Sequence, residues 1–326
     1  MHIAIVHNSK IPVVAYGGIE RVIWYLAEQL VKMGHKITFI VEKDSFCPFA
    51  DVKVYDTGKP IQQQIPKSVD IVHFHFQPDK EIEIPHLITI HGNLPEETRF
   101  FPNTNFVSQN HAKRYTADAF VYNGLNWGDY EKPDFKYERK YVHFLGKAAW
   151  RVKNVKGAIE IAKQNKTEIK ILGGHRFNLK MGLRFTTTKY AAFYGMVGGK
   201  TKNEILKHSK GLIFPVLWHE PFGLAIIESL YFGCPVMGTK YGALPELITS
   251  ETGFLSNSMT ELVNGFENLN SYHRQLCHDY AESKFNSKVM AENYLKLYER
   301  ILNGERINAV NPRFNPKSNN LDPFIT

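Results

Sequence analysis

Two glutamates, Glu220 and Glu228, stand eight residues apart in residues 219–248, HEPFGLAIIESLYFGCPVMGTKYGALPELI. Carboxylates accept several hydrogen bonds, so they suit hydroxyl-rich ligand parts such as a ribose and a hexose. Between them, a helix is predicted to begin, because apolar residues recur there at helical spacing. Its first N–H groups would face an anion; they belong to Phe222, Gly223 and Leu224, which follow Pro221. These groups together suit a nucleotide-sugar, which contains ribose, diphosphate and sugar.

Two apolar runs each predict a short buried strand. GLIFPV lies just before this stretch, and GCPVMGT lies within it, after Glu228. Glu220 would lie in the loop after the first strand, and Glu228 on the helix that leads to the second. In open α/β sheets, ligands bind at the carboxyl ends of the strands. The sequence therefore places both glutamates at the binding edge of a sheet.

Alternation of strands and helices extends over the whole chain and predicts two parallel sheets with helices on both faces. Five strands are predicted in the first half, at residues 2–7, 36–41, 71–76, 87–90 and 105–107. Five more follow at residues 142–146, 168–173, 192–195, 211–215 and 235–238. A charged stretch, residues 126–140, is interpreted as a linker, residues 175–189 as a loop, and residues 308–326 as an extended or disordered tail.

The spacing of the glutamates resembles the E-x7-E signature of retaining glycosyltransferases of family 4, which have the GT-B fold. Other segments resemble that family as well: YGGIERV, DIVHFH, LITIHG, VYNGLN and HFLGKAAWRVKNVKG. The resemblance implies an α/β protein with two Rossmann-like domains that face each other across a cleft. The expected domains are an acceptor-side domain, a nucleotide-sugar-binding domain, and a crossover helix with a tail, at residues 1–137, 138–290 and 291–326.

Basic residues in the segment that opens the second half could neutralise a leaving diphosphate. Arg151 and Lys156 are favoured, since Arg can bind phosphate through two nitrogens. The family pattern places a basic residue directly after a strand-end glycine, which here is Lys147. Whether Lys147 or Arg151 is the first phosphate partner stays open. Lys153 lies between them and Lys156.

Gly17 and Gly18 open a helix soon after the first strand, where a missing side chain permits close backbone approach to a phosphate or an acceptor. Glu20 and Arg21 are interpreted as belonging to the surface of that helix. His91 follows the apolar strand LITI. The resemblance implies that His91 contacts the donor sugar, the alternative being a structural histidine.

The segment Gly195, Met196 and Val197 ends a predicted strand. In the family, the nucleotide base rests against backbone groups at this point, whereas a simple turn is the alternative interpretation. His73 and His75 alternate on a strand and share a face. They lack a carboxylate placed to complete a metal site, so a structural role is favoured.

The resemblance implies a hexosyltransferase-type enzyme, class EC 2.4, that transfers sugar with retention at the anomeric carbon. No acidic D-x-D motif is present, so we expect neither a metal nor another cofactor beyond the nucleotide-sugar co-substrate, with a UDP- or GDP-sugar favoured as donor. Alternatives are a GT-B-fold sugar-nucleotide epimerase and a non-catalytic protein that binds sugar nucleotides or polyanions. The missing G-x-G-x-x-G fingerprint disfavours an NAD-dependent oxidoreductase.

The 326 residues carry a net charge of +8 with a pI near 9.1, which favours anionic ligands or an anionic membrane surface. The expected acceptor is a glycan, a lipid-linked molecule or a small molecule, and no nucleic-acid partner is expected. Three cysteines without metal-ligand spacing indicate reduced thiols. Neither a signal peptide nor a membrane-spanning run is evident. These features favour a cytoplasmic protein, with peripheral contact at the inner face of the membrane left open.

Overall fold

The chain divides into two units, each built on its own six-stranded sheet. The computed structural model describes three stretches of the chain: residues 1–12, 17–178 and 184–326. Unit 1 consists of residues 1–126 and 285–319, and unit 2 consists of residues 127–284 and 320–326. The chain therefore passes from one unit to the other after residues 126, 284 and 319.

The sheet of unit 1 is parallel throughout, in the order β3-β2-β1-β4-β5-β6. Its strands are β1 (His2–Val6), β2 (Lys36–Val41), β3 (Asp51–Val54), β4 (Ile71–Phe74), β5 (His86–Ile90) and β6 (Thr104–Phe106). Four of the six strands are buried along their whole length, as expected for a sheet covered on both faces. This strand order is that of a Rossmann fold. β1 to β3 extend the sheet to one side and β4 to β6 extend it to the other, so the strand order reverses between β1 and β4.

The helices of unit 1 are α1 (Gly18–Lys32), α2 (Gln109–Arg114), α9 (Ser287–Leu302) and α10 (Pro316–Asn319), with a short 3-10 helix at Ile61–Gln63. α1 packs against α9, and α9 also contacts β5. Two tyrosines of α9 reach the sheet: the Tyr298 hydroxyl lies 2.7 Å from His73 Nδ1, and Tyr294 hydrogen-bonds Thr89. His73 is fully buried and bonded in this way, as expected for a structural histidine.

Unit 2 repeats the same topology. Its sheet strands are β7 (Tyr141–Leu145), β8 (Ile169–Leu172), β11 (Ala191–Phe193), β12 (Ser209–Phe214), β13 (Val236–Gly238) and β14 (Gly253–Leu255). They are parallel and ordered β11-β8-β7-β12-β13-β14. A separate antiparallel hairpin, β9 (Phe177–Asn178) with β10 (Arg184–Phe185), stands between β8 and β11. The two predicted parallel-sheet α/β halves are therefore confirmed.

The helices of unit 2 are α3 (Val155–Gln164), α4 (Gly199–Lys207), α5 (Leu224–Tyr231), α6 (Leu244–Leu247), α7 (Met259–Asn264) and α8 (Arg274–Lys284). Short 3-10 helices lie at Trp127–Asp129, Arg151–Lys153 and Phe266–Asn270. All ten predicted strands are present, with ends that differ by at most two residues. Four strands were not predicted: β3 and β14, which lie at the edges of their sheets, and the two-residue strands β9 and β10.

The interpretation of residues 126–140 as a loose linker was wrong, and of the two alternatives for the tail the disordered one was wrong. The charged stretch taken for a loose linker is fixed on unit 2, where Trp127 stacks on Tyr231 at 4.3 Å between ring centroids. The tail after residue 307 is ordered by buried contacts, which its polar composition did not indicate. Asn308 is buried and donates to the carbonyls of Pro102 and Thr104. Within the described stretches, no helix has the length and apolar character needed to cross a membrane.

Candidate functional site

The loop that carries Glu220 follows β12 and is hydrogen-bonded to two other loops of unit 2. The carbonyl of Glu220 accepts from the Ala243 amide at 2.9 Å, after β13. The Thr239 hydroxyl donates to the Val216 carbonyl at 2.7 Å. Leu217 donates to Val152, in the loop after β7. Glu220 is therefore fixed at the carboxyl edge of the sheet, as the sequence predicted from the strand order.

Gly242 allows the close approach that fixes this loop. A Cβ atom at Gly242 would lie 2.2 Å from the Glu220 amide nitrogen, and its φ of +62° already disfavours a side chain. We expect Gly242→Ala to displace the loop and to lower the free energy of unfolding by about 3 kcal/mol or more, from strain and overpacking together. Urea denaturation would measure this loss, and a crystal structure would show the position of Glu220.

Gly34→Ala is the matched control, because Gly34 has a φ of +86° and a Cβ atom added there would meet no other atom within 4 Å. It should cost only the left-handed backbone strain, about 1–2 kcal/mol. Equal losses in the two variants would show that the contact of Gly242 with the Glu220 loop is unimportant.

The side chain of Glu220 is buried with a cation beside it. Its Oε2 atom accepts from Lys153 Nζ at 2.5 Å and from Trp218 Nε1 at 2.8 Å. Among the described residues, Oε1 has no hydrogen-bond partner. Lys153 also lies over the Trp218 ring, 4.8 Å from its centroid. The carboxylate is thus held through one oxygen and can offer the other to a ligand hydroxyl.

Glu228 lies on α5 and is also buried, with 3% of its surface exposed. Its Oε1 atom accepts from the Tyr130 hydroxyl at 2.6 Å and forms an ion pair with Lys202, which is buried as well. Lys202 also lies over the Tyr130 ring. Neither partner was predicted from the sequence. Glu228 therefore also has a structural role, as the carboxylate of this buried ion pair.

His143 on β7 fixes the helix that carries Glu228. Its two ring nitrogens lie 2.7 Å from the Ser209 hydroxyl and 2.8 Å from the Ser229 hydroxyl, and Ser229 is next to Glu228 on α5. Burial lowers the pKa of His143 to about 3. The ring is therefore neutral near pH 7 and can act as both donor and acceptor between the two hydroxyls.

α5 begins at Leu224 after Gly223, which has a φ of +102° and supplies no side-chain cap. Pro221 and Phe222 are buried just before it. The first amides of an uncapped helix lack intrahelical acceptors, so they attract anions. The helix start predicted from the sequence is therefore present, and it lies between Glu220 and Glu228.

The predicted cations occupy the loop after β7 and the start of α3. Lys147, Arg151 and Lys156 are exposed, whereas Lys153 is taken up by Glu220. Asn154 connects this segment to the Glu220 loop. Its side chain caps α3 by accepting from the Gly157 amide at 3.0 Å, and it donates to the Pro215 carbonyl at 2.9 Å. Exposed cations on a fixed turn can reach an anionic ligand.

The segment predicted to receive a nucleotide base is a turn after β11. The Gly195 amide donates to Gly174, and its carbonyl accepts from Gly173 at 2.6 Å. Both backbone groups of Gly195 are thus engaged inside the protein. The predicted contact with a nucleotide base therefore depends on Met196, which is 44% exposed, and on Val197, which is half-buried.

Unit 1 contains a pocket of about 280 Å³ beside the start of α1. Its polar lining includes His7, Glu20, His75 and His91, with Gly92 at its edge. Glu20 was expected on the helix surface, and this was wrong, because α1 turns it towards His7, 4.0 Å away. The adjacent His7 imidazole lowers the pKa of the Glu20 carboxyl, which is therefore ionised near pH 7.

His91 lies in this pocket, where its Nε2 atom is 2.9 Å from His75 Nδ1. Burial, reinforced by the nearby His7, lowers the pKa of His91 to about 3, so the ring is neutral at physiological pH. The nitrogens of His7 and the Nε2 atom of His75 are buried without a hydrogen-bond partner among the described residues. Such groups suit a ligand hydroxyl.

The two predicted glycines lie near the same pocket. Gly17 caps α1 and Gly18 is the first residue of that helix, and the Gly17 carbonyl accepts from Arg21 Nε at 3.3 Å. Arg21 is thus turned back along its own helix, in keeping with its predicted surface position.

Comparison with known proteins adds to this picture. Residues 128–284 match the family described as glycosyl transferases group 1. An uncharacterized 41.2 kDa protein of the cps region of Klebsiella pneumoniae is 27% identical over 114 residues. This match spans 33% of the chain and 32% of the relative, so the chain covers about a third of that protein's length.

Solved structures resemble the chain over nearly its whole length. AviGT4, a glycosyltransferase involved in avilamycin A biosynthesis, superposes with a TM-score of 0.73 at 18% identity, covering 93% of this chain and 98% of that one. HepE of Anabaena, solved with UDP-glucose, gives a TM-score of 0.64 at 16% identity, covering 93% and 99%. These likenesses show that the chain has the GT-B fold. The family match over residues 128–284 supports a glycosyltransferase.

Proposed function

We propose that this chain, a GT-B protein with a group 1 glycosyl transferase domain at residues 128–284, transfers a hexosyl group from a nucleotide-sugar to an acceptor hydroxyl with retention. The observation that carries the proposal is the pair of buried carboxylates, Glu220 and Glu228, on either side of an uncapped helix start. HepE was solved with UDP, glucose and UDP-glucose, which supports a UDP-sugar donor here, with a GDP-sugar as the second choice.

Each group has a role in this proposal. Glu220 accepts hydrogen bonds from hydroxyls of the donor sugar through Oε1, and Glu228 binds the ribose. Arg151, Lys156 and the first amides of α5 bind the diphosphate, with Lys147 next to them in sequence. Met196 and Val197 border the base. None of these residues acts as a nucleophile.

The chemistry requires that charge be stabilised at the leaving group. The bond between the anomeric carbon and the phosphate oxygen breaks, and positive charge develops on the sugar ring. The acceptor hydroxyl then attacks from the face that the phosphate leaves, and its proton passes to the departing phosphate oxygen. Cationic side chains and helix amides stabilise the developing negative charge, so the reaction needs no metal.

In unit 1, the pocket around His7, Glu20, His75 and His91 is assigned to the acceptor side. A neutral imidazole and an ionised carboxylate suit a hydroxyl-rich acceptor better than an anionic one. His91 is proposed to contact the sugar that is transferred. We further propose that the enzyme works in the cytoplasm in peripheral contact with the membrane, where a lipid-linked acceptor would lie.

The proposal is tested by incubating the protein with UDP-, GDP-, ADP- and dTDP-hexoses in the presence of EDTA. One donor should raise the melting temperature, because it binds the folded state. That donor should release nucleoside diphosphate slowly, and proton NMR should show the sugar first formed with the donor's anomeric configuration. An isomeric sugar-nucleotide would identify an epimerase. Binding without turnover would identify a binding protein, and loss of activity in EDTA, restored by a divalent ion, would overturn metal independence.

Arg151 and Lys156 provide a sharper test of the charge assignment. We expect Arg151→Ala or Lys156→Ala to lower turnover by ~10²-fold, the scale for a lost electrostatic stabiliser. Steady-state release of nucleoside diphosphate measures this. Lys163→Ala is the matched control, since Lys163 is an exposed lysine on α3 that pairs with Glu160. Normal turnover in both test variants would transfer the role to Lys147 or Lys153.

A further inference from the structure

The hairpin between β8 and β11 exposes two aromatic rings side by side. Phe177 and Phe185 are direct cross-strand partners, with ring centroids 6.2 Å apart. They are 54% and 64% exposed. A single exposed apolar side chain is ordinary, but a contiguous exposed aromatic pair indicates an interaction surface.

The base of this hairpin is held by several hydrogen bonds. Arg176 Nη1 donates to the carbonyls of Thr186 and Thr188 at 2.7 and 3.0 Å, and Nη2 donates to the Ala191 carbonyl. The Thr186 amide returns a bond to the Arg176 carbonyl at 3.1 Å. These bonds tie the hairpin to the start of β11. The aromatic pair is therefore displayed on a fixed base, which lowers the entropy that docking must overcome.

The chain around the hairpin is strongly basic. Residues 169–178 and 185–200 contain four lysines and arginines and neither aspartate nor glutamate, in a protein whose net charge is +8. The four are Lys170, Arg176, Lys189 and Lys200. Of these, Lys189 and Lys200 are exposed. A partner for this surface must therefore accept aromatic rings and carry negative charge.

We propose that the hairpin docks on an anionic lipid bilayer, with Phe177 and Phe185 in the headgroup region. Aromatic side chains bind at the boundary between headgroups and acyl chains, and each nearby cation is attracted by the negative surface potential. The hairpin leaves the carboxyl end of β8, the sheet edge at which the proposed donor site lies. The inference rests on the proposed membrane contact and is independent of the transferase activity.

Sedimentation with vesicles tests the proposal. The full chain should bind vesicles of phosphatidylglycerol mixed with phosphatidylcholine, and raised salt should weaken binding, as screening requires. The double variant Phe177→Ser/Phe185→Ser should lower the vesicle partition coefficient roughly tenfold or more. Lys189→Gln should lower it roughly fivefold, the loss of one interfacial cation. Release of nucleoside diphosphate in solution should be unchanged in these variants.

Phe46→Ser is the matched control, because Phe46 is a 66% exposed phenylalanine of unit 1 outside the hairpin. It should bind vesicles like the wild type. The proposal is overturned if the wild type ignores anionic vesicles, if the double variant binds them normally, or if Phe46→Ser is equally impaired. Loss of donor hydrolysis in the double variant would assign the hairpin to the substrate site instead. A dimer that the double variant dissociates would assign it to a second copy of the chain.

Discussion

Glu228→Ala is expected to abolish tight binding of the nucleotide and also to lower the free energy of unfolding of unit 2 by about 3–5 kcal/mol. The second effect follows from the structure, because the substitution leaves the buried ammonium of Lys202 without its carboxylate. It also removes the acceptor of the Tyr130 hydroxyl. Urea denaturation measures the loss of stability, and calorimetry with the nucleoside diphosphate measures binding.

The double variant Lys202→Met/Glu228→Gln separates the two roles. It removes both charges, while the amide oxygen of Gln can still accept from Tyr130, and neutral replacements of buried ion pairs are often well tolerated. The free energy of unfolding should therefore return most of the way to that of the wild type. Nucleotide affinity should stay low, because the carboxylate is absent. If the double variant binds the nucleotide normally, Glu228 is a structural residue and the ribose assignment fails. Lys202→Met alone shows whether Lys202 itself affects binding.

Acidification from pH 7 to pH 5 is expected to lower the free energy of unfolding of unit 2 by about 2 kcal/mol through His143 alone. Its folded pKa is about 3, while an unfolded histidine titrates near 6.5. Between these values the unfolded chain binds a proton that the folded chain excludes. The stabilising contribution is therefore complete above pH 6.5 and declines as pH falls towards 3, by about 1.4 kcal/mol for each pH unit.

Unfolding in urea at several pH values measures this slope. A Trp24→Phe background removes the tryptophan of unit 1, so that fluorescence reports on unit 2. In that background His143→Gln should flatten the pH dependence, since Gln can still bond both serines but does not titrate. His273→Gln, at an exposed position of unit 2, should keep the slope of the unsubstituted background. An unchanged slope in His143→Gln would mean that proton exclusion at His143 does not govern acid stability.

The sequence was sufficient for the fold, since strand and helix periodicities are local properties. It also placed Glu220 and Glu228 correctly around a helix start, because their positions follow from one strand–loop–helix unit. The partners of these glutamates were missed for a physical reason. Lys153 and Tyr130 lie 67 and 98 residues from the carboxylates they contact, and only the folded sheet brings them together.

One missed partner did leave a local signal. Lys202 shares a helix face with Ile205 and Leu206, both buried, so helical spacing already placed its charge on the inward side of α4. A lysine on an apolar face needs a buried carboxylate, and Glu228 supplies it. The turn of Glu20 towards His7 left no such signal, because it depends on how α1 packs against β1.

The point where the chain leaves unit 1 adjoins the point where it returns. Leu125 and Asn286 form a parallel bridge, and Leu125 exchanges backbone bonds with Phe285 and Ser287. Gly124 permits this contact, since a Cβ there would lie 2.2 Å from the Asn286 carbonyl oxygen. Residues 127–284 thus form a cassette inserted at one spot of a host domain. Neighbouring entry and exit points are what domain insertion requires. A related domain could therefore replace residues 127–284 with both junctions kept, provided that it also receives residues 320–326.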